Sequence, residues 1–289
     1  MAVTSVAPLP EGVARPYLEL LGLDLDPGDV DRAALRRLQR THLERVPYEN
    51  IDIVRGRPPA IDPLGSARRI LGGRGGYCYH LNGALSALLA WLRVDVTRHL
   101  AGVYGGRLQE PPGPDGNHLA VTVRVGGDDT WLVDVGLGDG PAEPLSLVAG
   151  EQVQGDAVYR LGPSPFGDGA WRFEHEPRGG FGGFDVASSD AAIEDFEAMH
   201  AFLSTRSSFA TTVTVQRRVG ERVDVLRGCV HSERSGQDAR SREISTSGEW
   251  WELVLDHFGV AYGDLARDER AALWRRVRDQ HEAWKATAR

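Results

Sequence analysis

The sequence predicts an α+β fold in three parts: a helical bundle over residues 1–92, an antiparallel β-barrel over 93–189, and a bridging helix with a smaller sheet and further helices over 190–289. Three observations carry that reading. Apolar residues recur at helical spacing up to Leu92, the period changes to two from Val94 to His175, and helical and alternating stretches mix thereafter. The chain of 289 residues is long enough to bury a substantial core without disulfides or metals.

Pro16 to Leu21 has apolar residues at helical spacing and stops at Gly22. Asp31 leads a second helix, with Leu35, Leu38 and His42 on one face and Pro47 beyond its end. Asp62 and Pro63 give an N-cap and a proline at the first helical position, so a third helix runs to about Leu71 and stops at Gly72-Gly73. Cys78 opens a fourth, carried by the apolar stretch Leu81 to Leu92. Strands follow: Val94 to Tyr104, the clean alternation His118 to Val125, the β-rich run Thr130 to Val135, then Val158 to Leu161 and Trp171 to His175. Gly, Pro and Asp turns separate them, as in an antiparallel barrel. Asp190 to Thr205 is amphipathic and bridges to a meander, Phe209 to Gln216, Arg222 to Leu226 and Cys229 to Ser232, before the helices Trp250 to Phe258 and Asp268 to Trp284.

Composition removes several function classes. Lys plus Arg number 33 and Asp plus Glu 41, a formal charge of −8, and no run of like charges occurs, which argues against nucleic acid and anionic membranes as partners. Met1 to Glu11 has neither a basic nor an apolar signal region, and no stretch approaches the length of a membrane span, so a cytoplasmic protein is expected. Arg74-Gly75-Gly76 and Arg178-Gly179-Gly180 resemble RNA-binding repeats only when read without that charge. The glycine cluster lacks the Gly-Lys-Ser/Thr of a phosphate loop. His175, His200, His231 and His257 show no metal-ligand spacing, so no metal is expected.

Two cysteines sit in different contexts. Cys229, in a strand-like run, reads as packing. Cys78 follows Gly72-Gly73-Arg74-Gly75-Gly76-Tyr77 and begins a helix, where unpaired N–H groups and the positive dipole end favour thiolate over thiol. A free thiol with a pKa of about 8.5 is only roughly 3 % thiolate at pH 7, so full ionisation gains about thirtyfold; positioning must supply the rest. A nucleophilic thiol also needs a base, and the base an orienting acceptor. His118 and Asp134 lie on strands joined by the turn Gly126-Gly127-Asp128-Asp129. Side chains alternate faces, so the two share one only if the connection has an odd number of residues or contains a bulge. His80, two residues beyond Cys78, diverges from it on a helix and reads as a pocket wall.

Arg74-Gly75-Gly76-Tyr77-Cys78 followed by Asn82 resembles the active-site signature of the arylamine N-acetyltransferases. Val46-Pro47-Tyr48-Glu49-Asn50-Ile51-Asp52, Asn117-His118-Leu119, Leu132 to Gly138 and Ser204 to Phe209 match further elements in the same order. The resemblance implies a helical bundle, a β-barrel and an α/β lid around a cysteine-protease-like core. It implies Cys78 as acyl-accepting nucleophile, His118 as base and Asp134 as orienter, with Tyr48, Leu137 and Phe209 lining the substrate cleft and Leu137 and Phe209 also meeting coenzyme A. Arg74-Gly75-Gly76 would fix the nucleophile helix. His80, Leu137 and Asn117 depart from the family, which usually has glutamate, an aromatic residue and threonine there.

The expected activity is ping-pong transfer of an acetyl or other acyl group from acetyl-coenzyme A, or another acyl thioester, through Cys78 to an arylamine-type nitrogen, with no permanently bound cofactor. The related alternative is an amide synthase that takes a polyketide chain from an acyl carrier protein and closes a macrolactam. A Cys-His-Asp hydrolase and a non-catalytic acyl-coenzyme A-binding domain are the readings from other classes.

Overall fold

A computed structural model describes residues 6–105, 110–175, 179–236 and 238–287; Arg178 lies outside them. Helices α1 (Glu11–Leu21) and α2 (Arg32–Arg45) come first, then the two-residue strand β1 (Tyr48–Glu49) and helices α3 (Ile51–Val54), α4 (Pro63–Leu71) and α5 (Cys78–Trp91). Both aspartate caps form: Ala34 N–H donates to Asp31 at 2.7 Å and Gly65 N–H to Asp62 at 2.6 Å. Helix α1 starts five residues earlier than the sequence predicts, at Glu11, with Pro16 inside it. The missing amide there is outweighed by burial of Tyr17, Leu18 and Leu21. Helix α5 is largely apolar and buried on every side from Cys78 to Leu89, the pattern of a central helix.

The barrel follows as β2 (Asp95–Tyr104), β3 (His118–Arg124), β4 (Thr130–Val133), β5 (Leu145–Ser146), β6 (Gly150–Gln154), β7 (Ala157–Pro163), β8 (Trp171–Glu174) and β9 (Gly183–Val186). They pair antiparallel in the order β5-β4-β3-β2-β9-β8-β7-β6. Side chains zip the two edge strands together. Gln152 bonds the N–H and C=O of Ser146 at 2.9 and 2.6 Å, and Gln154 those of Glu143 at 3.0 and 2.8 Å. Ala101, Ala120, Leu132, Phe173 and Phe184 share one core cluster, while Leu119, Val121, Val123 and Val133 alternate onto the other face against the helices. Strand β3 is therefore buried on both faces.

A 3₁₀ turn at Ile193–Phe196 leads into α6 (Glu197–Arg206), and a second sheet forms from β1 and the strands β10 (Thr214–Val219), β11 (Arg222–Arg227), β12 (Val230–Ser235) and β13 (Asp238–Glu243) in the order β1-β10-β11-β12-β13. Helix α7 (Ser247–Glu252), a π turn at Leu253–His257 and α8 (Arg267–Thr287) back it. Phe209 belongs to a 3₁₀ turn, Ser208–Ala210, where the sequence predicts a strand. Asn50 Nδ2 takes the carbonyls of Phe209 and Thr212 at 2.8 and 2.9 Å, acceptors that a strand ladder would need. No helix among the described residues is long and apolar enough to cross a membrane.

The seam predicts its own contribution. Changing Gln152 and Gln154 together to alanine is expected to lower the unfolding free energy by about 2 kcal/mol, the worth of a few partly solvated hydrogen bonds. An unchanged urea midpoint would show that the seam is held by something else.

Candidate active site

The glycine-rich approach to α5 is set by close contacts. A Cβ on Gly75 would lie 1.8 Å from the carbonyl oxygen of Pro47, where the chain passes under β1. Tyr48 bridges Gly76, and Glu49 N–H donates to Gly76 C=O at 2.9 Å. Behind this crossing, Arg69 reaches Glu49 at 2.6 Å, Asp52 at 2.7 Å and the Gly75 carbonyl at 2.7 Å. Arg74 adds Asp52 at 3.3 Å and the Ala261 carbonyl at 2.6 Å, and lies over the Tyr262 ring at 3.6 Å. Burial alone would raise the Asp52 pKa, but Arg69, Arg55 and Arg74 hold it below the usual carboxylate value. These groups hold the helix start, and neither Arg69 nor Arg74 lines the cleft described below.

Cys78 is the first residue of α5, and its N-cap Tyr77 makes no side-chain cap, unlike Asp31 and Asp62. The His80 N–H donates to the Tyr77 carbonyl at 2.9 Å, and among the described residues no side chain caps the amides of Cys78 and Tyr79 at the helix start. Cys78 Sγ lies 3.9 Å from the Asn117 carbonyl oxygen. Asn117 is fixed by its own amide, which bonds the N–H and C=O of Val103 at 2.7 and 3.2 Å and so extends the β2–β3 ladder past His118.

The β3–β4 connection has the odd length that the alternation requires. Arg124 pairs with Thr130, leaving the five residues 125–129, and Val125 N–H reaches Asp129 C=O at 3.3 Å to close a three-residue tip. In the same register Asp134, the residue after β4, falls on the face that carries Ala120 and His118. His118 Nε2 lies 2.6 Å from Asp134 Oδ2, and Gly136 N–H donates to Asp134 Oδ1 at 2.8 Å. Asn82, one turn beyond Cys78, locks both strands to α5: its amide donates to Leu119 C=O at 2.7 Å and accepts from Val135 N–H at 2.9 Å. Gly136 packs so tightly here that a Cβ would lie 2.6 Å from Cys78 Cα.

His118 and Asp134 are buried, 2 % and 3 % exposed. Burial disfavours the charged imidazole, yet the Asp134 carboxylate, by charge and by hydrogen bond, and the Cys78 sulfur override it and raise the His118 pKa well above its ordinary value. Burial pushes the Cys229 thiol up to about 11, so that thiol is a poor nucleophile, as its packing role implies.

The sequence profile of the N-acetyltransferase family matches residues 31–265. An arylamine N-acetyltransferase of Mycolicibacterium smegmatis is 32 % identical over 279 residues, 88 % of this chain and 94 % of that one. The chain belongs to the arylamine N-acetyltransferase family. A proansamycin X synthase of Amycolatopsis mediterranei is 36 % identical over 151 residues, 50 % of this chain and 56 % of that one. Among solved structures, the arylamine N-acetyltransferase of Nocardia farcinica superposes with a TM-score of 0.80 at 29 % identity, covering 94 % of this chain and 97 % of that one.

Set against the family signature, the fold gathers Cys78, His118, Tyr48, Leu137 and Phe209 around one cleft of about 630 Å³, with Asp134 behind His118. His80 does not line it. That residue is 1 % exposed, with its ring against Tyr77 (centroids 5.1 Å apart) and Nε2 3.3 Å from the Pro59 carbonyl oxygen; burial pushes its pKa down to about 3, so the ring is neutral. Two residues along a helix turn it to the far side from Cys78.

Sequence reasoning named Tyr48 and missed the rest of the lid wall of this cleft. Tyr48, Gln216, Val225 and Ser232 form one row across the second sheet, with Thr214 and Arg227 in the next, and all six line the cleft. The other face, with Val215 and Leu226, packs on Trp250 and Phe258. Period-two alternation in Thr214 to Leu226 held this signal, but nothing local says which face meets Cys78. Nor does sequence spacing reveal Asp224, His231 and His257, whose ligating atoms converge within 4.8 Å. Asp224 is held by Arg222 at 2.9 and 3.0 Å and lies 3.0 Å from His257 Nε2, the pattern of a structural ion-pair network.

The His118–Asp134 pair has a sign that can be read. The ring is more basic folded than unfolded, so its protonation stabilises the fold fully below about pH 6.5 and fades as pH rises through the folded value. NMR titration should place the His118 midpoint above the ordinary value, and Asp134→Asn should lower it; a midpoint that ignores the substitution contradicts the assignment.

Proposed function

We propose that the protein moves an acyl group from a thioester, acetyl-coenzyme A first among them, through Cys78 to an arylamine-type nitrogen. The observation that carries this reading is a cysteine at an uncapped helix start beside a buried His118–Asp134 pair 2.6 Å apart. With Nε2 engaged by Asp134, the Nδ1 side of the ring is left for the thiol. His118 takes the thiol proton, and Asp134 holds the tautomer and stabilises the imidazolium. The Cys78 sulfur attacks the thioester carbonyl; a new C–S bond forms, the donor C–S bond breaks, and the departing thiolate takes the proton from His118. The Cys78 and Tyr79 amides at the start of α5 stabilise the oxyanion. An amine then attacks the acyl-enzyme, losing a proton to His118 as Cys78 leaves. Tyr48, Leu137 and Phe209 supply the apolar cleft wall for both substrates, with no resident cofactor in the cycle.

A macrolactam-forming amide synthase is the second reading. It is favoured by the similarity to the proansamycin X synthase over half of this chain and by Leu137, which leaves the cleft without an aromatic ring at that position. In that case the donor is a carrier-protein thioester.

Exposure to acetyl-coenzyme A without amine should add one acetyl group to the Cys78 peptide and none to the Cys229 peptide, by mass spectrometry. An aniline should discharge it. Asp134→Asn should slow loading by a factor on the order of 10⁴, as in comparable triads. Absence of any adduct would refute covalent transfer, discharge by water with amine ignored would favour a hydrolase, and loading only from carrier-protein thioesters would favour the amide synthase.

A further inference from the structure

Beside the catalytic cleft lies a second one of about 710 Å³, between the barrel edge and the lid sheet, with Arg40, Glu143, Tyr159 and Arg218 in its wall. Asp139 and Arg234 line both clefts, alone among the described residues. They form an ion pair. Asp139 stands on the barrel loop two residues after Leu137, while Arg234 projects from β12 in the lid, so the pair spans from barrel to lid at the boundary between the two spaces.

The two partners are anchored differently. The Asp139 side chain is 6 % exposed and accepts from Gly180 N–H at 2.6 Å, and its backbone carbonyl lies 3.0 Å from His175 Nε2. Arg234 is 29 % exposed at the end of a long side chain. A fixed acid and a reaching arginine make a polar partition. The partition matters because the catalytic cleft has to hold the arm of a thioester donor and its acyl group together, and about 630 Å³ is within the ordinary range for a single drug-sized ligand.

We propose that the Asp139–Arg234 pair is the end wall of the acyl pocket: it confines the enzyme to short acyl groups, and its removal joins the second cleft to the first. The inference rests on the acyl-enzyme reading above. An alkyl chain pressed against the pair would have to desolvate two charges without replacing their hydrogen bonds, which is costly. The space behind the wall mixes Arg40, Glu143 and Arg218 with Val153, Ala157 and Val223, so a chain bearing hydroxyl or carbonyl groups finds partners there that a plain alkyl chain does not use. Leu137 lines the side of the pocket, whereas Asp139 and Arg234 limit its length.

The test compares Cys78 loading by the acetyl, octanoyl and 3-hydroxyoctanoyl thioesters of N-acetylcysteamine, a donor too small to fill the cleft itself. Wild type should load acetyl at least tenfold faster than either long chain. Arg234→Ala should raise the ratio of 3-hydroxyoctanoyl to acetyl loading at least tenfold, and octanoyl to acetyl by less. Because Arg234→Ala removes the ion-pair partner of a buried carboxylate, the double variant Asp139→Asn/Arg234→Ala is measured beside it, with thermal melts to verify folding. Equal loading of acetyl and long chains by wild type would overturn the wall, as would a ratio within twofold of wild type in a folded double variant. Absence of acetyl on wild-type Cys78 would instead refute the acyl-enzyme reading on which the inference rests.

Discussion

The geometry of the candidate site depends on one side chain. Asn82 sits a turn beyond Cys78 on α5 and spends its amide on two backbone groups, Leu119 C=O and Val135 N–H. Each belongs to the residue next to His118 or Asp134. The donor end of the amide thus fixes the strand that carries the imidazole, and the acceptor end fixes the segment that carries the carboxylate. Both bonds are buried, so losing the amide would cost about 1–3 kcal/mol for each orphaned group, more than the bonds themselves contribute. Tyr79 OH adds a third tie to the Gly116 carbonyl at 2.6 Å, from the same helix turn. Only glycine at 136 allows the strand end to approach Cys78 this closely.

Helix α5 can serve as that reference because its own start is immobilised. Glu49 is fully buried and its carboxylate must be compensated; Arg69 supplies the charge and also grips Gly75 C=O, three residues before the thiol. Breaking such a buried pair typically costs 3–5 kcal/mol, because the partner's charge is left uncompensated. The network therefore holds the glycine approach in a single arrangement, and the arginine and acid residues of this region act on the site through backbone position without touching the cleft.

Much of this was legible in the sequence, for local reasons. Asp31, Asp62-Pro63 and the glycines around 72–76 are chain-local signals, and alternation set an odd β3–β4 connection or a bulge as the condition for His118 and Asp134 to share a face. The five-residue connection meets that condition and puts the two side chains on one face. What escaped depends on contacts distant in sequence. Strand β13 is exposed throughout and shows no alternation, and β1 and α3 are too short to carry a period. His80 looked like a cleft wall from its closeness to Cys78, but it is buried against Tyr77 and His200. The lid wall and the Asp139–Arg234 pair arise only when the second sheet docks against the barrel.

The central claim is that Asn82 aligns thiol, imidazole and carboxylate. Single-turnover acylation of Cys78 in Asn82→Ala tests it most directly, measured with the unfolding free energy of the same variant. A displacement of about 1 Å in such a constellation costs about 10²-fold in rate. The account predicts a loss of at least that size in a protein that still folds, together with a lower His118 titration midpoint as its contact with Asp134 loosens. Acylation within threefold of wild type would contradict it.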